Sequence, residues 1–237
     1  MKFTFVTLFS ELIYPYFGGS ILSRAKETGI ITIECVNPRD FSLDKYKKVD
    51  DYKVGGGAGL LMSPQPLFDT LKEIVRKESD AYFVFLQPAA KSFTQQDAKR
   101  LAGKRHIVFI CGRYEGIDER VVESWADEVF SIGDFVVTGG ELPALCMCDA
   151  ISRMLKNVLG NEESLLEESF ESLSLEAPSF TRPNIYNQDA VPSDFLKGNH
   201  AIISRLKNRM AHAKTYFHRP ELEKKVKTYN KRKSYEK

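Results

Sequence analysis

Long apolar runs are absent from this sequence of 237 residues, and none approaches the length of a membrane span. The first residues, MKFTFVTLFSELIY, are too polar for a secretory signal. These two absences argue against a membrane-spanning or secreted protein. We therefore expect a cytoplasmic location and no membrane partner.

Cysteine and histidine are scarce, with four of each in the chain. Cys146 and Cys148 are too close in sequence for a usual zinc pair, and no second pair stands beside them. The histidines show no ligand spacing either. The sequence therefore predicts no structural zinc site, and it favours unpaired thiols in a reducing compartment.

The formal net charge of +2 hides a strong asymmetry. Residues 197–237 carry thirteen Lys or Arg against three Glu, a local charge of +10, so the other 196 residues sum to −8. A cationic tail on an acidic chain favours a polyanionic partner, and nucleic acid is the first candidate. A solvated, charged helical end is the alternative that charge alone leaves open.

Apolar strand patterns alternate with helical patterns along the first two thirds of the chain. Strands are predicted at 2–8, 29–36, 81–86, 106–111 and 128–132. Helices are predicted after Ser10 and at 63–77, 95–102, 117–126 and 140–158, the last with Pro143 in its first turn. This alternation predicts an open, mostly parallel α/β sheet flanked by helices.

The composition changes at 161–176, where NEESLLEESFESLSLE contains six Glu and no Lys or Arg. We interpret this segment as a flexible acidic linker. It would separate a domain at 1–160 from a small basic helical domain at 177–237. The helix predicted from about residue 199 has an apolar face of Ile203, Leu206, Met210, Ala213 and Phe217.

Three of the predicted strands end in loops that suit a ligand. They are Leu86–Ala90, Gly112–Gly116 and Ser131–Pro143, and the last two are rich in glycine, which lets a backbone approach a ligand closely. Ligands of open α/β sheets bind outside the carboxyl ends of the strands. The sequence thus predicts a pocket there, although any one of these loops could be an ordinary turn.

A nucleotide phosphate is a poor ligand for this pocket. Gly55–Gly59 lacks the Lys-Ser/Thr of a P-loop, and no strand pattern precedes it. The pocket loops offer Glu115, Asp134 and Glu141 against a single Arg113. Such loops repel pyrophosphate and tolerate a cation, so the sulfonium of S-adenosylmethionine is compatible with them.

Several runs of the sequence resemble the bacterial tRNA (guanine-N1)-methyltransferases of the TrmD type. The resemblance lies in CGRYEGIDER, SIGDFVVTGGELP and GGGAGLLM with VNPRDF before it, and further on in SRMLKNVLG, FTRP and LKGNHA. These runs are long and collinear, and they extend from the first strand to the segment 218–222. The enzyme expected is an S-adenosylmethionine-dependent methyltransferase of tRNA.

The resemblance implies features that the residues alone do not predict. The sheet would be a trefoil-knotted one of the SPOUT class, against the general expectation that chains avoid knots. The protein would be an obligate homodimer with its active site between subunits. Magnesium is also implied, and Glu115 is the residue we would place nearest to it.

The resemblance also places the cofactor against particular residues of the three loops. The positions that match are Gly112 and Ile132, Gly133, Asp134, Phe135, Val136 and Val137. Further expected contacts are Leu86, Pro88, Tyr114, Gly139, Gly140 and Leu142.

Methylation of guanine N1 requires a base, because N1 carries a proton, and a positive group near O6, where negative charge develops. The resemblance assigns the O6 role to Arg153. The base of the family is the Asp of a Glu-Asp-Ser-Phe run. This chain has Glu167-Glu168-Ser169-Phe170, so the matching base is Glu168, one methylene longer.

The expected substrate is the guanosine at position 37 of tRNA, directly 3′ of the anticodon, with the basic domain holding the anticodon arm. The residues predicted to contact RNA are Asp50, Glu115, Arg182, Arg205, Lys207, Arg209 and Lys214. Two alternatives remain open from the sequence. One is ribose 2′-O transfer by another knotted methyltransferase, and the other is a non-catalytic RNA-binding relative.

Overall fold

The computed structural model describes residues 1–161, 168–171 and 174–224. The chain divides into two compact units, residues 1–160 and 161–237. The first unit contains the main sheet and the second contains a helical part. No helix in the described ranges is both long and apolar enough to span a membrane.

The main sheet has five parallel strands in the order β2-β1-β6-β5-β7, which confirms the predicted architecture. Its strands are β1 (Lys2–Val6), β2 (Thr32–Val36), β5 (Ala81–Leu86), β6 (His106–Ile110) and β7 (Glu128–Phe130). Strand β6 lies at the centre and is buried along its whole length. Its sequence HIVFI is almost continuously apolar because helices cover both faces of the sheet.

Two hydrophobic clusters form the core, one on each face of the sheet. Side chains of a strand alternate between faces, so neighbouring residues enter different clusters. Phe5 and Phe109 face one cluster, where their ring centroids lie 5.5 Å apart. Val6 and Val108 face the other.

Five helices belong to the first unit: α1 (Ser20–Glu27), α2 (Pro64–Lys77), α3 (Gln95–Leu101), α4 (Glu119–Trp125) and α5 (Glu141–Ser152). Helix α2 begins with a proline, which has no amide hydrogen to leave unsatisfied there. Helix α3 begins with a capping box between Thr94 and Asp97. Helix α5 is shorter than predicted, because the chain turns after Arg153 and Asn157 has a φ of +66°.

Three features of the first unit were not predicted, one of them a short 3-10 helix at Pro38–Phe41. The segment after Ser10 forms two short 3-10 helices, Ser10–Leu12 and Tyr14–Gly18, before α1. The charged stretch before the glycines forms β3 (Asp50–Tyr52), which pairs as an antiparallel hairpin with β4 (Leu60–Met62) just after them. Three-residue strands are too short to produce a readable period in the sequence.

The second unit contains the hairpin β8 (Ile185–Tyr186) and β9 (Asp189–Ala190), and the helices α6 (Ser193–Leu196) and α7 (His200–His218). The predicted apolar face of α7 is wrong at its end, because Ala213 is exposed and Phe217 is 80% exposed. The buried residue there is Thr215, whose hydroxyl oxygen accepts a hydrogen bond from the amide of Leu175 at 2.9 Å. The acidic segment thus packs on this helix through its described residues.

Candidate active site

A pocket of about 550 Å³ opens at the carboxyl edge of the main sheet, as predicted. Its walls are the loops that follow β5, β6 and β7, together with Leu61 of the β3–β4 hairpin. Parallel strands place these three loops at one edge because their carboxyl ends all meet there. The volume is that of a small-molecule or cofactor site.

The loop after β6 is a tight turn that only particular residues can form. Tyr114 has a φ of +58° and Gly116 a φ of +123°, and the Gly116 amide donates to the Arg113 carbonyl at 3.1 Å. Glycine adopts such a φ without steric cost, whereas tyrosine does so under strain. The Glu115 amide then donates to the Leu60 carbonyl at 3.0 Å, which fixes the hairpin to this wall.

The loop after β7 returns from the sheet edge to the end of central strand β6. The Gly140 amide donates to the Gly112 carbonyl at 2.8 Å. A Cβ atom on Gly140 would lie 2.7 Å from the Cα of Cys111, which no real side chain tolerates. The close backbone approach that the glycines predicted therefore occurs here, between two of the pocket loops.

A buried charged pair lies behind these two loops. Nε of Arg113 lies 2.9 Å from Oε2 of Glu141, the first residue of α5. The other carboxylate oxygen of Glu141 accepts a hydrogen bond of 2.7 Å from the hydroxyl of Thr7, just after β1. Because the charges of Arg113 and Glu141 cancel, this pair adds no net charge to the pocket.

Ten of the thirteen predicted cofactor residues line the pocket: Leu86, Pro88, Gly112, Tyr114, Ile132, Phe135, Val136, Val137, Gly139 and Gly140. The other three, Gly133, Asp134 and Leu142, lie in the same loop or helix but do not line it. Leu61, Ile117, Glu119 and Phe130 also line the pocket and lie outside the three predicted loops. All but Leu61 and Glu119 could have been found as neighbours of the predicted loops.

Glu115, the residue proposed nearest to magnesium, already has a cationic partner. Its carboxylate lies 3.3 Å from Nζ of Lys53, and its side chain packs where a Cβ of Gly59 would otherwise be. No group of three metal-ligating side chains lies together in the described part of the chain. A single, ion-paired carboxylate does not fit a protein-built magnesium site.

Arg153 is not part of the pocket wall in a single chain. It follows the last residue of α5, and the first residue of that helix, Glu141, is beside the pocket. Twelve residues of α-helix at 1.5 Å each separate the two ends by about 18 Å. One chain therefore does not bring Arg153 to the predicted cofactor residues.

Glu168 belongs to the second unit, whereas Arg153 belongs to the first. Its carbonyl accepts a hydrogen bond of 3.3 Å from the Glu171 amide, and the neighbouring Ser169 hydroxyl accepts one of 3.1 Å from the Glu176 amide. The half-buried Glu168 thus sits on an ordered turn. Glu167 lies outside the described residues.

The second unit contains a cavity of its own, of about 660 Å³. Two of the predicted RNA-binding residues, Arg182 and Lys207, line it together with Phe180 and Phe195, whose ring centroids are 5.6 Å apart. The two aromatic residues were not predicted, because no periodicity marks them. Of the other predicted RNA contacts, Arg205 and Arg209 are exposed, Asp50 and Lys214 are half-buried, and Glu115 is exposed.

A parallel α/β sheet with a glycine-built pocket at its carboxyl edge defines a ligand-binding α/β protein. A family model described as tRNA (Guanine-1)-methyltransferase TrmD matches residues 1–225. The chain is 62% identical over 233 residues to the tRNA (guanine-N(1)-)-methyltransferase of Campylobacter curvus, covering 98% of this chain and 99% of that one. Proteins with the same description from Sulfurimonas denitrificans and Campylobacter jejuni are each 59% identical, covering 93% and 94% of this chain and 96% and 97% of theirs.

The chain therefore belongs to the tRNA (guanine-1)-methyltransferase TrmD family. Membership confirms the predicted fold class, a SPOUT-type parallel sheet flanked by helices with a helical C-terminal part. It also makes the chain an enzyme of this family, a methyltransferase that uses S-adenosylmethionine.

Proposed function

We propose that this chain methylates N1 of the guanosine at position 37 of tRNA. Support for the reaction comes from the family and from a relative named as a tRNA (guanine-N(1)-)-methyltransferase, which is 62% identical over 98% of this chain. The main structural support is the pocket at the carboxyl edge of the sheet. The loops after β5, β6 and β7 form it together.

The cofactor would lie in this pocket against backbone rather than charged side chains. Its charged walls are largely neutralised, since Arg113 pairs with Glu141 and Glu115 pairs with Lys53. Glu119 adds a further carboxylate to the lining. Such a wall accepts a sulfonium, whereas an unpaired guanidinium would repel it. S-adenosylmethionine supplies the methyl group, and the protein supplies its placement.

The position of Arg153 supports an active site shared between two copies of the chain. One stripe of α5 contains the exposed Leu142 and Cys146 and the half-buried Asp149 and Arg153, spaced by four, three and four residues. This stripe starts beside the pocket and ends about 18 Å away. If a second copy lay along this stripe, the Arg153 of the second copy could reach the pocket of the first. Within one copy, the rigid helix α5 keeps Arg153 away from the pocket.

Exposed apolar residues lie near this stripe and add to the surface proposed to face a partner subunit. Leu12, Tyr14, Tyr16 and Leu142 are each 45–58% exposed. The Tyr16 hydroxyl donates to Asp149 at 2.7 Å, which joins the segment before α1 to α5. This hydrogen bond, with burial, raises the pKa of Tyr16 to about 12. In the predicted homodimer, the second subunit would cover this surface and complete the active site.

The chemistry assigned to the side chains follows from the charge changes at guanine. Removal of the N1 proton makes N1 a nucleophile and places negative charge on O6. A guanidinium has donors that can stabilise that charge in the transition state, so Arg153 suits O6. Glu168 is the proposed proton acceptor, and the second unit holds it on the turn at 168–171.

The second unit is proposed to hold the anticodon arm. Its cavity combines aromatic rings with Arg182 and Lys207, which together suit unpaired nucleotides and their phosphates. Exposed Arg205 and Arg209 extend the positive surface along α7. Asp50 on the β3–β4 hairpin stays a predicted contact near the target base. No step of this mechanism is assigned to magnesium, since its predicted ligand Glu115 is already ion-paired with Lys53.

The test is methyl transfer to tRNA transcripts that carry G or A directly after the anticodon, followed by mapping of the methylated atom. We expect product on N1 of G and none on A. A methyl group on ribose would instead support 2′-O transfer. Failure to bind S-adenosylmethionine in a calorimetric titration would support a non-catalytic relative.

A further inference from the structure

The charged pair behind the pocket is unusually deep. The Glu141 side chain is 3% exposed and the Arg113 side chain 17% exposed. Their closest atoms are 2.9 Å apart but are not aligned for a hydrogen bond. Burying two charges in such a geometry contributes little to folding stability, because desolvation offsets the attraction. The pair therefore needs an explanation other than stability.

Four segments of the chain meet at this pair. Glu141 begins α5, Arg113 follows β6, and Thr7 follows β1 and donates to Glu141 at 2.7 Å. Nη1 of Arg113 also lies 3.4 Å from the Thr138 carbonyl in the loop after β7. The guanidinium stacks on the ring of Phe9 at 4.4 Å, which limits its sideways movement.

The pocket loop follows the shape of this guanidinium. A Cβ atom on Gly139 would lie 2.4 Å from Nε and 2.7 Å from Cδ of Arg113. Glycine at this position lets the loop backbone rest directly against the arginine. The next residue, Gly140, rests in the same way on the backbone of Cys111. Movement of Arg113 would therefore change the path of the loop that forms one pocket wall.

We propose that Arg113, Glu141 and Thr7 are positioning residues that hold the 131–140 loop in its cofactor-binding shape. Thr7 orients the Glu141 carboxylate, Glu141 holds the Arg113 guanidinium, and the guanidinium supports the backbone at Gly139. None of the three needs to touch the reacting atoms. The proposal rests on the proposed location of S-adenosylmethionine in this pocket.

The test compares Thr7→Val, which removes the hydroxyl at nearly constant size, with Thr7→Ser, which keeps the hydroxyl and removes a methyl group. Both are titrated calorimetrically with S-adenosylmethionine and with S-adenosylhomocysteine, at a temperature where melting curves show each protein to be folded. We expect Thr7→Val to bind both ligands about 5-fold more weakly, and Thr7→Ser to match the parent within about twofold.

Two stronger variants extend the series. Glu141→Gln removes the charge that holds the guanidinium, and Gly139→Ala displaces the guanidinium directly. We expect each to weaken both ligands by about 10-fold or more. Because S-adenosylhomocysteine has no sulfonium charge, equal losses for the two ligands indicate a change of loop shape.

Parent-like affinity in the folded Thr7→Val and Glu141→Gln proteins would overturn the proposal, as would a loss confined to S-adenosylmethionine. A lower melting temperature with unchanged affinity would show a purely structural role and also overturn it. If Glu141→Gln does not fold, the Thr7 pair decides. If the parent fails to bind, or Gly133→Val binds normally, the cofactor location itself is wrong.

Discussion

The two edges of the same parallel sheet both carry ion-paired side chains, yet one edge opens into a pocket and the other is closed. At the carboxyl edge, Arg113 and Glu141 lie behind glycine loops that surround about 550 Å³. At the amino edge, ion pairs between side chains leave a cavity of only about 30 Å³. The difference lies in what the charges contact.

The amino edge is closed by side chains that contact one another. Lys2 of β1 pairs with Glu34 at 2.6 Å and with Glu78. The buried His106 of β6 lies between the Thr4 hydroxyl at 2.9 Å and the Glu78 carboxylate at 3.0 Å. These contacts join three strands and the end of α2, so the charges there close the sheet.

At the carboxyl edge, the charged side chain of Arg113 packs against the backbone of a loop instead. The Arg113 guanidinium lies against Gly139, and Gly140 lies against the end of β6. Loops at this edge can therefore approach each other without filling the space between them. Substitutions in the glycine loops of the carboxyl edge should reduce binding with little change in stability, and those at the amino edge should reduce stability at constant binding.

The largest effect is expected for Glu168, which belongs to neither edge of the sheet. Glu168→Gln removes the proposed base while it keeps size and hydrogen bonding, so methylation should fall by ~10²–10⁴. Single-turnover assays on tRNA measure the loss, and affinity for S-adenosylmethionine should be unchanged.

Glu168→Asp restores the residue that the resemblance expects and should stay active. Glu167→Gln is the matched neighbour and should have little effect. If Glu167→Gln is inactive and Glu168→Gln is not, the base has been assigned one residue too far along the chain. Full activity in both would mean that the proton leaves to another acceptor.

The next effect is expected at the far end of α5. Arg153→Ala should lower kcat by ~10²–10³, because the guanidinium stabilises charge that is present mainly in the transition state. Cofactor affinity, measured by calorimetry, should stay within about twofold of the parent. Equal losses in turnover and in cofactor affinity would place Arg153 in the cofactor site instead.

A smaller effect is expected at the glycine loop of the carboxyl edge. Gly133 has a φ of +152°, and a Cβ there would lie 2.6 Å from the Phe135 ring, which lines the pocket. Gly133→Val should weaken S-adenosylmethionine binding by about 10-fold or more, with little change in melting temperature. Gly160→Val, where a Cβ meets no neighbour, is the control.

The smallest effect is expected at the amino edge, where it should alter stability alone. Burial lowers the pKa of His106, although the nearby Glu78 opposes the shift. Below about pH 6.5 the unfolded state binds a proton at His106 more readily than the folded state does. The contribution of His106 to folding stability is therefore present above that pH and is lost as pH falls. Hydrogen bonding by Lys2 lowers the pKa of Glu78, which acts in the same direction at lower pH.

His106→Gln should flatten the decline in melting temperature between pH 7.5 and pH 5.5, and the exposed His200→Gln should not. Cofactor affinity at pH 7.5 should be the same in both variants. An unchanged pH slope in His106→Gln would remove the histidine from this account of the amino edge.

The sequence predicted the five main strands because each is a short apolar run bounded by polar residues, as in β6. It predicted most of the pocket because glycines mark two of the loops. It did not predict Leu61, since the strands of the hairpin that carries it are only three residues long. The cavity of the second unit was also missed, because Phe180 and Phe195 are far apart in sequence and follow no period.

The distance between Arg153 and the pocket follows from the helix that joins them. The sequence predicted that Pro143 lies in the first turn of α5 and that Arg153 lies within the same helix. It did not show that the length of this helix separates Arg153 from the cofactor-binding loops. A straight helix of twelve residues keeps its ends apart whatever the loops do. The separation therefore became visible only when the pocket and the helix were located together.

In the proposed active site, the pocket and the Arg153 side chain come from different copies of the chain. The direct measurement is the activity of a mixed dimer of Arg153→Ala and Gly133→Val subunits, purified through two different tags. One complete site should form, from the pocket of the first subunit and the Arg153 of the second. At an S-adenosylmethionine concentration that saturates the parent but leaves Gly133→Val mostly unoccupied, activity should reach about half that of the parent dimer. A mixed dimer no more active than the two single-variant dimers at the same concentration would contradict the proposal.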